Sequence, residues 1–312
     1  MRASHRLGIC LLAIVAPTFA QADEAALVSA LQKTYSACIG IDASLADLKK
    51  MAGINTAITG VGTGLGIGAT AVGIAKAHKD SEAKKIADKI NYTKRAFNVM
   101  PTQEDINAFS AAAQNPSPDI ESEFQKLREQ SKKLGNWRTG LLAGNTVTNV
   151  AGAIIAGKNK TDGDLQNQID NCKTAIGELR RARARARLDG VDVGESNTII
   201  SACEGFETVD ISKINKRAQG AMVSGIVGAT TGLAGTITSG VANSESIRKD
   251  GVDISEKTQA DWNKEKNINA AANVLSGAST VASATATIFN ATQIKAIKDV
   301  ANVAAKCTEA LK

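Results

Sequence analysis

The sequence predicts an all-α protein: two tandem long helical hairpins, a duplicated repeat with Gly/Ala-rich helices, each repeat closed by a disulfide. Three observations carry this. First, four long stretches contain no charged residue: 51–75, 139–157, 218–244 and 267–293. Second, charged, helix-prone segments flank each stretch. Third, the same order of features recurs in both halves of the chain. Each half has the string Ser-Ala-Cys-x-Gly (36–40 and 201–205), charges, a small-residue run, charges and a tryptophan, a second run, and a helix carrying a cysteine. This reads as a tandem duplication. The expected organisation is a signal peptide over 1–22, a first hairpin repeat over 23–180, an Arg-rich linker over 181–194 and a second hairpin repeat over 195–312.

Composition agrees. The 312 residues leave room for about two domains. Apolar residues make up 43%, too many for general disorder, but aromatics are only 3%. Small side chains at helix contacts, with close approach of backbones, must therefore replace bulky core packing.

Taken in order, the N-terminus reads as a secretory signal. Arg2 and Arg6 precede an apolar core over 7–16, and Ala20 and Ala22 offer small-residue cleavage sites. The apolar core is too short to span a bilayer. Cys10 lies inside it after Ile9, which does not fit a lipoprotein cleavage site. Residues 23–37 carry Leu27, Leu31 and Tyr35 at helical spacing. Asp42 opens the next helix, which enters the first uncharged run.

That run holds Gly60, Gly62, Gly64, Gly66 and Gly68 in alternation with larger residues. Alternation also fits a strand, but the flanks are helical and the other runs lack it. As a helix these glycines cost on the order of 4–5 kcal/mol relative to alanine, which packing must offset. Gly60, Gly64 and Gly68 form one groove. Gly62 and Gly66 form another, because two residues rotate a helix by about 200°. The expectation is a helix gripped on two sides through the small-residue spacing of a glycine zipper. Gly228 and Gly232 offer the same contact in the third run.

Pro101, Pro116 and Pro118 then break the chain, with a short helix expected over 103–114. Residues 119–134 are charged and periodic and lead through Trp137 into the second run. A turn is expected at 161–164. Leu165, Ile169, Cys172, Ile176 and Leu179 then mark one helix face.

Export implies an oxidising compartment. Removal of the signal leaves Cys38, Cys172, Cys203 and Cys307, which allow three pairings. In a hairpin, the residue before the first helix and the residue after the second lie at the same end. That geometry favours Cys38–Cys172 and Cys203–Cys307.

Each uncharged run is about 29–40 Å long as a helix, near the thickness of a bilayer core. Such helices are buried either in protein or in lipid.

The motifs do not assign catalysis. Gly64–Ala69 matches a Gly-x-Gly-x-x-Ala dinucleotide pattern but follows no strand. His78 stands among lysines as a solvated helix residue, and no metal-ligand or triad spacing exists. No catalytic, cofactor or metal-binding residues are expected. Arg180, Arg181, Arg183, Arg185 and Arg187 form the densest charge run. It reads as a solvated linker helix, with anionic lipid as the candidate contact and no nucleic acid. Trp137 and Trp262 each precede an uncharged run, as interfacial anchors or as packing at the hairpin tips. The net charge of +6 suggests only weak attraction to anionic surfaces.

The expected function is therefore that of an exported periplasmic or cell-envelope protein, with secretion as the alternative. It is structural or interaction-mediating, not an enzyme. It would pack through small-residue helix faces against itself or another envelope protein, without cofactor or small-molecule substrate. The alternative is a membrane-inserting hairpin protein, a pore former or toxin-like factor.

Overall fold

The computed structural model describes residues 7–99, 118–161, 163–252, 254 and 256–312, with the side chains of 7–22, 91–99 and Pro118 not described. The expected short helix over 103–114 lies outside the described residues. Of the segment expected to be a signal peptide, residues 7–22 are described as helical backbone only.

The described chain is helical: α1 (Leu7–Cys38), α2 (Ile41–Val99), α3 (Pro118–Lys158), α4 (Gly163–Leu188), α5 (Gly194–Cys203), a 3-10 turn (Glu204–Thr208), α6 (Ser212–Ala242), α7 (Glu245–Arg248) and α8 (Gln259–Ala310). No strand occurs among the described residues. The long hairpins are α2 with α3 and α6 with α8. Gly40 separates α1 from α2 with φ +86°, a left-handed conformation that a side chain would strain.

Both disulfides join the cysteines that the hairpin geometry favours. Cys38–Cys172 and Cys203–Cys307 have Cα separations of 4.8 and 4.5 Å. They close loops of 134 and 104 residues. On the chain-entropy model each contributes about 5 kcal/mol by restricting the unfolded chain.

The chain forms two compact units. The first comprises the described residues within 1–54, 156–219 and 289–312; the second comprises those within 55–155 and 220–288. Each draws on both halves of the chain. The duplication expected from the sequence concerns the order of residues along the chain, whereas these units are groupings in space.

The first unit has a conventional apolar core. Ile41, Leu45, Ile169, Ile176, Leu179, Phe206, Ile214 and Ile297 are fully buried in it beside the four cysteines. The expected face of α4, Leu165 to Leu179, lies in this core. On α1 the buried face is Leu27, Ala30, Thr34 and Cys38, and Tyr35 is exposed, so the face is rotated from the one expected.

The second unit packs α2, α3, α6 and α8 by another rule. Its buried positions alternate in steps of three and four. On α2 they are Asn55, Thr59, Gly62, Gly66, Ala69, Gly73 and Lys76. On α3 they include Arg138, Leu142, Asn145, Asn149 and Gly152, on α6 Ala221, Gly225, Gly228, Gly232, Gly235 and Ser239, and on α8 Asn269, Ala272, Ser276, Ser279, Ser283 and Ala286. This mean period of 3.5 is the seam of a left-handed coiled coil. The seam is made of Gly, Ala, Ser, Thr and Asn, where soluble coiled coils carry Leu and Ile.

Candidate functional site

Small residues on the seam bring the four backbones close together. A Cβ added at Gly62 would sit 2.5 Å from Thr148 Oγ1, and one at Gly66 would sit 2.6 Å from Thr280 Oγ1. At Gly228 it would meet Asn149 Nδ2 at 2.8 Å, and at Gly232 Thr146 Oγ1 at 2.6 Å. These four glycines are the close contacts expected of them. Gly60 and Gly64 meet nothing within 4 Å, and Gly68 has only ordinary contact with Leu141. The grip on this stretch is therefore one-sided. Gly62 and Gly66 fall on the seam, whereas Gly60 and Gly64 fall about 200° away and face outward.

The interior is a hydrogen-bonded polar column. Asn145 Nδ2 donates to Ser279 Oγ at 2.9 Å, and Ser279 Oγ donates to the Gly228 carbonyl at 2.8 Å. Asn149 Nδ2 donates to Asn145 Oδ1 at 3.0 Å. Ser283 Oγ lies 3.0 and 2.9 Å from the Asn145 and Asn149 carbonyl oxygens. Thr70 and Ser276 hydroxyls meet at 3.0 Å between α2 and α8.

The exterior is the reverse. Most of the large aliphatic side chains of the uncharged runs point out, with Leu142 the buried exception. Val147, Val274 and Val281 are 69%, 71% and 67% exposed, and Val61, Ile67, Ile74, Ile154, Leu233 and Ile237 are exposed with them. Among the described residues, three helical segments are long and apolar enough to cross a membrane by length and composition, yet only 28–33% of their apolar windows is buried. Exposed apolar patches of this extent are rare on soluble monomers.

The belt ends at a cluster of buried charge within the same unit. Arg128 donates to Glu265 Oε1 at 2.8 Å, to Asp250 Oδ1 at 2.7 Å and to the Arg248 carbonyl at 2.8 Å. Arg248 donates to Asp250 Oδ2 at 2.6 Å and to the Arg128 carbonyl at 2.6 Å. Lys257 Nζ reaches Glu265 Oε2 at 2.6 Å and lies 3.8 Å over the Trp262 ring. Lys76 pairs with Asp80 at 2.6 Å, and the Ser131 hydroxyl also donates to Asp80. Burial opposes ionisation of Asp250, but Arg128 and Arg248 outweigh it and hold the carboxyl below its usual range. Burial, with Arg128 nearby, pushes the Lys257 ammonium down. Beyond this cluster Ala83, Ala87, Phe124, Leu127, Ile254 and Trp262 form a small apolar core.

Arg138 stands apart. It is fully buried, and its hydrogen-bond partners are neutral: Ser239 Oγ at 2.8 Å, Asn273 Oδ1 at 2.7 Å and Asn269 Oδ1 at 3.3 Å. Five cations in this region (Lys76, Arg128, Arg138, Arg248 and Lys257) face three carboxylates (Asp80, Asp250 and Glu265).

None of these charged residues belongs to a site recognisable in the sequence, where they read as solvated helix faces. The usable signal was register. Lys76 continues the spacing of Gly62, Gly66, Ala69 and Gly73, and Arg138 precedes Leu142, Asn145 and Asn149 in the same way.

Trp262 is buried at the tip, whereas Trp137 is exposed at the edge of the second run. His78 is exposed beside Glu82, 3.5 Å away. The arginines from 180 to 187 continue α4 to Leu188. Arg180 pairs with Glu207 at 2.5 Å and Glu204 at 3.5 Å, and Arg181, Arg185 and Arg187 are exposed. Sulfur atoms of Cys38, Cys172 and Cys307 lie within 4.8 Å of one another, but as disulfides they offer no thiolate to a metal. No family model matches the chain, and neither a curated protein nor a solved structure is found similar to it.

Proposed function

We propose that this protein is an integral structural or interaction protein of a cell-envelope membrane, with no catalytic activity. Helices α2, α3 and α6 of the second unit would span the bilayer, with α8 packed among them. The single observation that carries this reading is the inversion of that unit: amides, hydroxyls and glycines inside, Val, Ile and Leu outside. In water such an arrangement exposes apolar surface for no return. In lipid, where tails are as apolar as leucine, small residues and interhelical hydrogen bonds are what hold helices together. The first unit, with its apolar core and disulfides, is the contrasting arrangement suited to water. Its disulfides agree with export to an oxidising compartment.

In this reading the two halves are a tandem duplication, each supplying one hairpin. The exposed belt would meet acyl chains and, through Gly60, Gly64, Gly140 and Gly240, small-residue faces of a second copy or another envelope protein. Arg181, Arg185 and Arg187 would face anionic headgroups. Alkaline carbonate extraction of membranes tests the reading. Retention in the pellet is expected; release to the supernatant would overturn it.

A second reading, a pore former, rests on the polar column from Asn145 to Ser283. Here the column is closed by its own hydrogen bonds, so conduction requires the helices to part. Dye release from liposomes at micromolar protein is the test, and intact vesicles would remove this reading while leaving the first.

A further inference from the structure

We infer that the chain is cut between Ala22 and Asp23, so that α1 of the mature protein begins at Asp23 beside Asp189 of the first unit. The inference rests on the export reading above and adds the processing site to it. The sequence offers small-residue cleavage sites after Ala20 and after Ala22. The packing of α1 against α4 distinguishes them.

The two helices run antiparallel in a fixed register. Cys38 is bonded to Cys172, the Thr34 hydroxyl donates to the Ala175 carbonyl at 3.3 Å, and Lys33 pairs with Glu178 at 3.3 Å. Each step towards the start of α1 is matched by a step towards the end of α4. The register therefore brings Asp23 opposite Leu188, the last residue of α4. Past that residue α4 is closed: the Val191 amide donates to the Ala186 carbonyl at 3.0 Å, and Gly190 takes φ +76°. Residues before 23 thus have no further turn of α4 to pack on. Burial on α1 begins one turn inside this limit, at Leu27, and continues at Ala30.

The charges at this end agree. The carboxyl groups of Asp23 and Asp189 are in hydrogen-bond contact, and that contact holds the Asp189 carboxyl above its usual range. Among the described residues neither has a cation partner. In an uncut α1 the pair lies beside the middle of a helix, where nothing favours two acids together. Hydrolysis changes this. A signal peptidase adds water across the Ala22–Asp23 peptide bond: the water oxygen goes to the Ala22 carbonyl carbon, giving a carboxylate, and the Asp23 nitrogen leaves as an α-ammonium. The new helix end has unpaired N–H groups and the positive end of the dipole, to which Asp23, Glu24 and Asp189 are suited. The α-ammonium then belongs to the residue whose carboxyl meets Asp189. A cut after Ala20 would place it two residues earlier, about 3 Å along the axis and about 200° round the helix.

Export of the full chain from a bacterial host, with intact-mass measurement and N-terminal sequencing of the purified protein, tests the cut. The expected product starts at Asp23. A product that starts at Gln21, or one that keeps residues 1–22, would overturn the inference. The α-amino group is read by pH-dependent reductive methylation with labelled formaldehyde, followed by NMR. Its proton affinity should fall about threefold in Asp189→Asn, which removes one of the carboxylates beside it. An unchanged affinity would also overturn the inference, because the new terminus would then not lie against Asp189. Thiol titration of the same preparations separates the two readings. Closed disulfides with a different N-terminus sink only the cut at Asp23, and free thiols with residues 1–22 retained sink the export reading itself.

Discussion

Leucine placed at Gly66 or Gly64 should have opposite consequences, although the two positions are one helical step apart in the alternation. Leaving glycine gains about 0.8–1 kcal/mol of helix propensity at either position. At Gly66 the first added carbon would lie 2.6 Å from Thr280 Oγ1, 3.1 Å from Asn145 Nδ2 and 3.1 Å from the Thr280 backbone. The backbone contact cannot be relieved by a rotamer change. Overpacking of this kind costs about 1–3 kcal/mol and more when several atoms are added, and it also displaces the Asn145 amide from Ser279. The net expectation for Gly66→Leu is a loss of about 1–3 kcal/mol, a few degrees in Tm for a unit of this size. At Gly64 an added carbon meets nothing of its own chain within 4 Å, so for the fold of the single chain Gly64→Leu should be neutral or gain a few tenths to about 1 kcal/mol. Thermal and denaturant unfolding in detergent, followed by far-UV circular dichroism, reads the difference. Equal losses in both variants would mean that the stretch is gripped on two sides, and an unaffected Gly66→Leu would refute the seam.

The remaining predictions concern the disulfides and the charged tip. Cys307→Ser should lower stability by up to about 5 kcal/mol, with Cys38→Ser similar, measured as the shift in unfolding midpoint under non-reducing conditions. Glu265→Ala leaves Arg128 and Lys257 buried without their shared carboxylate and should cost about 3–5 kcal/mol; a loss below 1 kcal/mol would mean that the pairs are solvated. The Asp250 carboxyl is held below its ordinary value of 3.8 when folded. Its contribution is therefore complete above that value and is lost as pH falls through the lower folded pKa. A stability titration from pH 7 to pH 2 should show this loss, and Asp250→Asn should flatten it.

Much of the fold was legible because it depends on local pattern. Long uncharged runs with charged flanks specify helices, and a hairpin brings its two ends together, which is enough to pair Cys38 with Cys172 and Cys203 with Cys307. The face of α4 from Leu165 to Leu179 was legible for the same reason: it is apolar and buries itself in the first unit. The second unit was not legible because its pattern is inverted. Read by hydrophobicity, the first run points Val61, Ile67 and Ile74 inward, yet all three are exposed. The informative residues are Asn55, Thr59, Gly62 and Gly66, whose steps of four and three disclose the seam only when small size, rather than hydrophobicity, is followed. The charged tip was hidden for a different reason. Lys76, Arg128, Arg248, Lys257 and Glu265 come from separate segments, and each sits among residues that resemble a solvated face. Only tertiary structure brings them together.

The central claim is that the second unit turns its aliphatic surface to lipid. A nitroxide attached at Val281→Cys on α8, in liposome-reconstituted protein with its native disulfides intact, tests this most directly. Collision rates with molecular oxygen and with a water-soluble nickel chelate give the label's surroundings. The account predicts frequent collisions with oxygen and few with the chelate, and the same at Val147→Cys on α3. Ready access of the chelate to both positions would place this surface in water and contradict the account.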